Sequence, residues 1–171
     1  MAIRDALLQE LEQEAQTTRR VLERVPESGL GWKPHEKSMS LGQLALHVAT
    51  TPGGVAEIAA KPSLDTPPTF IQPAAASAAE LVPALEQSVA RAKALVGAMD
   101  DEAMMAIWTL RNGDQVIMAL PRVALLRSIM LNHWYHHRGQ LSVYLRQLNV
   151  PLPSIYGPSA DENPFAVAAG V

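Results

Sequence analysis

The sequence predicts an all-α chain folded as a four-helix bundle with a small β-hairpin ahead of the last helix. Three observations carry that expectation. Four stretches repeat apolar residues at helical spacing, and a proline-rich span separates the second stretch from the third. One short segment, "IWTLRNGDQVIM", is instead rich in β-formers around an Asn-Gly pair.

In the first stretch, residues 3 to 25, Leu7, Leu11, Thr18, Val21, Leu22 and Val25 share one face, and Pro26 ends the helix. Ser40 is positioned as N-cap of a second helix starting at Leu41, whose apolar side holds Leu44, Val48, Thr51 and Val55. From Pro52 to Pro73 the chain carries five of its 13 prolines, including the Pro67–Pro68 pair. A long extended connection is expected there, with some helix persisting toward Ala60.

Ser77 and Glu80 have the spacing of a capping box for a third helix with the stripe Leu81, Leu85, Val89, Ala92, Val96 and Met99. Pro83 should kink its first turns or delay its start. Asn112 and Gly113 suit a type I′ turn, and Pro121 suits the first turn of a fourth helix running to about Leu148. The irregular "VPLPSIYGPSADENP" follows.

A chain of 171 residues is long enough for one domain with a sizeable core, taken as residues 1–171 with an irregular tail from about 150. Its composition, 48% hydrophobic and 18% charged, excludes general disorder. A net charge of -3 lacks the basic excess that nucleic-acid binding draws on. With no cysteine there are no disulfides and no thiolate nucleophiles, and any metal must be held by nitrogen and oxygen. The acidic N-terminal segment does not read as a signal peptide, and no window approaches a bilayer's thickness, so a cytoplasmic protein without membrane contact is expected.

Three of the five histidines fall in "LNHWYHHRGQ". On a regular wheel set by Leu126, Met130, Leu141, Tyr144 and Leu148, His137 lies near the middle of the apolar stripe and His133 about 40° away, whereas His136 lies about 100° off. His133 and His137 are one turn apart, close enough to share one ion. The Glu of a helical H-E-x-x-H motif is absent, its place taken by Trp134, so no metalloprotease is implied. His47, at the edge of the second helix's stripe, is the candidate third ligand, and His35 belongs to a solvated loop. Three neutral imidazoles would leave a coordination position open for water or substrate. Spacing alone leaves three explanations standing: a metal site, hydrogen-bonded core histidines and an exposed patch.

"SLGQLALHVA", followed downstream by "NHWYHHRGQLSVYLR" and "LPSIYGPSADE", resembles the DinB-like superfamily of small helical proteins, from the first helix to residue 162. The resemblance implies a bundle of up-down-down-up topology with a long crossover between helices 2 and 3, commonly as a homodimer. It also implies a divalent metal, nickel or zinc, bound by His47, His133 and His137, and a small-molecule substrate. The activities it suggests are thiol S-transfer, using a low-molecular-weight thiol as co-substrate, or hydrolysis. The alternative is a non-catalytic metal- or ligand-binding stress-response protein. The H-H-R-G-Q tract is complete at His136, His137, Arg138, Gly139 and Gln140.

No residue is assigned a catalytic role from sequence. Arg138 and Gln140 are expected to cap, pair or solvate their helix rather than orient an anion or a histidine. Tyr156, Asp161 and Glu162 lie in a tail able to fold over the site or simply pack. Trp32, Trp108, Trp134 and the seven methionines fit core or dimer-interface positions.

Overall fold

A computed structural model describes residues 2–67, 69 and 71–166 of the chain. In order these form α1 (Ile3–Leu22), α2 (Leu41–Ala60), β1 (Ser63–Asp65), α3 (Leu81–Gly97), α4 (Asp101–Met105), β2 (Ile107–Asn112), β3 (Gln115–Pro121), α5 (Arg122–Leu125), a π-helical segment (Leu126–Asn132) and α6 (His133–Gln147). Backbone dihedrals stay right-handed helical at both junctions of the π segment. α5, the π segment and α6 therefore form one rod, the fourth long helix of the bundle. α2 packs against both α3 and this rod, and α1 packs against α3.

Helix α2 is built for the centre. Its Ser40 cap is a full capping box: the Gln43 backbone N–H donates to Ser40 Oγ at 3.2 Å, and the Ser40 N–H donates to Gln43 Oε1 at 2.9 Å. Alanines and glycines keep its surface thin, and its whole inward side from Leu41 to Ala59 is buried. The expected connection starts only after Ala60, where persisting helix was expected to end: Pro52 is buried inside α2, which runs to Ala60. A proline at that point removes the N–H that the Val48 carbonyl would accept. The carbonyl is satisfied from outside the helix, by the Trp134 indole N–H at 2.7 Å.

The other end of α2 is closed by the β segment. Trp108 Nε1 donates to the Ile58 carbonyl at 3.1 Å, and Arg122 Nε donates to the Ala59 carbonyl at 2.8 Å, supplying partners for carbonyls that a helix C-terminus leaves bare. β2 pairs antiparallel with β3 as the β-formers predict, and β1 adds a parallel strand from the crossover that no alternating pattern announced. Asn112 ends β2 opposite Gln115, so the two-residue turn is Gly113–Asp114 rather than Asn112–Gly113. Gly113 alone carries a positive φ, 58°, within it.

Two helix-start expectations also change. Ser77 makes no side-chain cap, and Glu80 Oε1 instead accepts from the Ala76 N–H at 2.7 Å. Pro83 sits in the first turn of α3, where its missing N–H has no intrahelical partner anyway, and the α-helix begins at Leu81 after a short 3-10 turn, Ala78–Glu80. α1 ends at Leu22, and Val25 packs from the turn that follows. Pro121 closes β3 and serves as N-cap, with helical backbone beginning at Arg122. Pro68 of the Pro67–Pro68 pair lies outside the described residues.

The fourth helix departs from the regular wheel. Its inward face changes from Leu126 and Met130 to Trp134, Arg138, Leu141 and Leu145. Each π turn takes up extra residues, and one extra residue advances the buried face by about 100°. Trp134 and Arg138 consequently point into the bundle. His133 and His137 lie on the flank of that face, half-buried, rather than at its middle.

α2 comes tightly against α3 at Gly53, where an added Cβ would stand 2.9 Å from the Ser88 carbonyl oxygen and 3.0 Å from Ser88 Cα. Exposed Gly54, one residue on, faces open space. Gly53→Ala should destabilise by about 1–3 kcal/mol through overpacking. Gly54→Ala should stabilise by about 0.5–1 kcal/mol through helix propensity. Urea midpoints of the two variants, moving in opposite directions, check the contact.

Candidate metal centre

His47 is presented by α2 two turns beyond its cap, and His133 and His137 by the first turns of α6. The Nε2 atoms of His47 and His133 stand 3.0 Å apart. One ligand atom from each of the three rings lies within 4.8 Å of the other two. Ring centroids are 4.3 to 5.2 Å apart and the planes are nearly perpendicular, at 80° to 89°.

Burial chiefly depresses the proton affinity of all three. His47 is lowered to about 4, with the neighbouring His137 and His133 adding to the effect and a hydrogen bond to the Gln72 side chain opposing it. His133 is lowered by desolvation and then by His136. For His137 desolvation dominates, a bond to Gln140 opposes it, and His133 and His136 add to it. At neutral pH all three are unprotonated and carry free lone pairs, the form in which imidazole binds metals.

Gln140 decides which nitrogen of His137 is free. Its Oε1 lies 2.8 Å from His137 Nδ1, so the amide oxygen accepts the Nδ1–H and leaves Nε2 as the lone-pair atom. Gln140 thus orients a histidine, contrary to the expectation that it merely solvates its helix. His136 is exposed at the rim, and exposed His35 lies in the loop before α2, its Nδ1 accepting from the Lys37 N–H. Sequence reasoning missed Gln72, which no periodicity marks; the Gln43 side-chain amide donates to its carbonyl at 3.0 Å and holds that stretch of crossover beside α2.

Arg138 does not reach toward the histidines. It is 1% exposed and forms a 2.6 Å ion pair with Glu14 of α1. It also donates to the Glu14 carbonyl, to Thr18 Oγ1 and to Tyr156 Oη, and lies over the rings of Tyr135 and Tyr156. Tyr156 donates in turn to Glu14 Oε2 at 2.9 Å. The tail therefore packs on the α1–α6 seam, with Arg146–Asp161 and Arg20–Glu162 ion pairs on either side. Trp108 and Trp134 are core residues, and Trp32 packs edge-on against Tyr144 at 5.5 Å.

Residues 2–164 match the family model described as the DinB family. The uncharacterized protein YrdA of Bacillus subtilis (strain 168) is 27% identical over 162 residues, covering 92% of this chain and 90% of YrdA. A DinB-like protein from Bacillus cereus ATCC 10987 superposes with a TM-score of 0.69 at 23% identity, covering 89% of this chain and 97% of that one. YfiT from B. subtilis, described as a probable metal-dependent hydrolase with an unusual four-helix bundle topology, superposes with a TM-score of 0.62 at 15% identity, covering 85% and 87%.

The histidine environment has a consequence in acid. The folded chain holds the three imidazoles below their ordinary value of 6.5, whereas the unfolded chain binds protons at that value. Metal-free protein should keep this part of its stability above about pH 6.5 and lose it progressively as pH falls toward about 4, because the unfolded state then binds more protons. Urea midpoints measured across that range should fall, and fall less steeply in His47→Asn, which separates the histidine contribution from carboxylate protonation. Equal slopes in both proteins would contradict the assignment.

Proposed function

The chain belongs to the DinB family, and on that premise we propose that it is a metal-dependent enzyme acting on a small molecule, with His47, His133 and His137 as the ligands of one divalent cation. The observation that carries this is the convergence of three unprotonated imidazoles with their ligand atoms within 4.8 Å of one another. Two nitrogens bound at 2.0–2.1 Å to a tetrahedral ion stand about 3.3 to 3.4 Å apart, so the 3.0 Å His47–His133 separation needs only a small opening to accept one. An all-imidazole set suits zinc or nickel. A bound ion would supply Lewis acidity at a position the protein leaves open.

The chain's own residues do the remaining work. Gln140 holds His137 in the tautomer that exposes Nε2, and neutral His47 and His133 need shed no proton to bind. His136, exposed beside His137 with ring centroids 5.0 Å apart, is placed to exchange protons with a substrate at the rim. Hydrolysis is supported by the description of YfiT. Thiol transfer would require a low-molecular-weight thiol as co-substrate, since the chain has no cysteine. The apolar side chains that β2, β3 and the end of α4 leave exposed, Met105, Ile107, Val116 and Ile117, support a homodimer as part of the same proposal. No described helix is long and apolar enough to cross a membrane.

Protein purified without an affinity tag should carry one equivalent of divalent metal by elemental analysis. His47→Ala and His133→Ala should lose nearly all of it while keeping their helical circular dichroism. Turnover in a screen of small esters, amides and electrophiles, with and without thiols, should vanish with chelator and return with metal. Stoichiometric metal in both variants would overturn the ligand assignment, and a metal-replete protein inert to the whole screen would favour the non-catalytic alternative.

A further inference from the structure

We infer that Trp134 is a positioning residue for the histidine triad, acting through a tie to α2 at the carbonyl that Pro52 leaves without its helical donor. This rests on the metal-site proposal above and concerns what sets its geometry. In a regular helix the Val48 carbonyl accepts the N–H of residue 52, and Pro52 has none. The proline ring also crowds the carbonyl four residues back, turning it away from the helix axis. The Trp134 indole N–H takes that carbonyl at 2.7 Å.

Both partners are fully buried, at 0% exposure, so no water competes for the bond. Each partner is also the immediate chain neighbour of a triad member. Val48 follows His47 on α2, and Trp134 follows His133 on α6. Apolar packing between α2 and α6 tolerates small slides, because dispersion is weakly directional. A buried hydrogen bond does not, since it weakens steeply off line and beyond about 3.2 Å. The tie therefore fixes the axial register of α6 on α2, and with it the distance from the His47 nitrogen to those of His133 and His137. The bulk of Trp134 occupies the inward direction that the π segment vacates for it, which keeps both histidines on the flank.

The test uses wild type, Trp134→Phe, Pro52→Ala, the double variant, and Val96→Ala, a core truncation in α3, as a stability control. Metal-free stability is read from urea midpoints and affinity from cobalt(II) titration by visible absorption. Trp134→Phe should lower the midpoint and weaken cobalt(II) binding about 10- to 100-fold, the loss typical when a group orienting a ligand is removed. In the Pro52→Ala background the same substitution should lower the midpoint less, because a backbone N–H at position 52 satisfies the Val48 carbonyl. Affinity should stay low there, since the tie between helices is still missing, and Val96→Ala should bind as wild type does.

Undiminished binding by Trp134→Phe overturns the inference. So does an equal midpoint drop in both backgrounds, an affinity that recovers with stability in the double variant, or an equal affinity loss in Val96→Ala. Wild-type protein that fails to bind cobalt(II) overturns the metal-site proposal itself and this inference with it.

Discussion

The placement of His133 and His137 depends on the seven-residue π segment Leu126–Asn132 that precedes them. A regular helix keeping Leu126 and Met130 inward would also turn His133 and His137 inward and close them off among leucines. The wider turns advance the inward direction, so Trp134 and Arg138 enter the core and the two histidines come to its flank, facing His47. At the flank they are desolvated enough to stay neutral while remaining partly exposed. Neither a fully buried nor a fully exposed pair would meet both conditions.

The two residues so buried are polar, and the surrounding helices are organised to satisfy them. Trp134 is answered by a carbonyl that Pro52 leaves free, and Arg138 by Glu14 and Thr18 of α1 and Tyr156 of the tail. A buried ion pair adds little net stability over apolar packing, but breaking one half of it is strongly destabilising, by about 3–5 kcal/mol. Its contribution is better understood as specificity: it admits one register of α6 against α1, as the indole bond does against α2. Among the described residues no buried side-chain nitrogen or oxygen lacks a partner.

Much of this is legible in the residues. Leu7 through Val21, Leu41 through Val55 and Leu81 through Val96 repeat at 3.6-residue spacing because each helix has one dry side, and Ser40 reads as a cap because the capping box is local chemistry. His133 and His137 are legible as a pair from their spacing, and His47 joins them through bundle geometry and family resemblance. Some of the misreadings are cases where a group elsewhere in the fold overrode a local rule. Pro52 stays helical because α6 supplies the missing donor. At Ser77 the capping box is not completed: the Glu80 carboxylate goes to the Ala76 N–H, and Glu27 from the turn after α1 takes the Ala78 N–H. β1 has no strand pattern of its own and forms by pairing with β2. The wheel misplaced His137 because nothing in "LRSIMLN" separates a π turn from an α turn.

Taken together, two helices locked in register present three neutral imidazoles at the edge of the core, with one tautomer fixed by Gln140. On this assignment those three rings share one ion. X-ray absorption on protein loaded with one equivalent of zinc tests it most directly. The account predicts three imidazole nitrogens at about 2.0–2.1 Å with one or two further light ligands, and a reduced imidazole count in His47→Ala. A zinc sphere of oxygen donors, or one unaltered by His47→Ala, would contradict it.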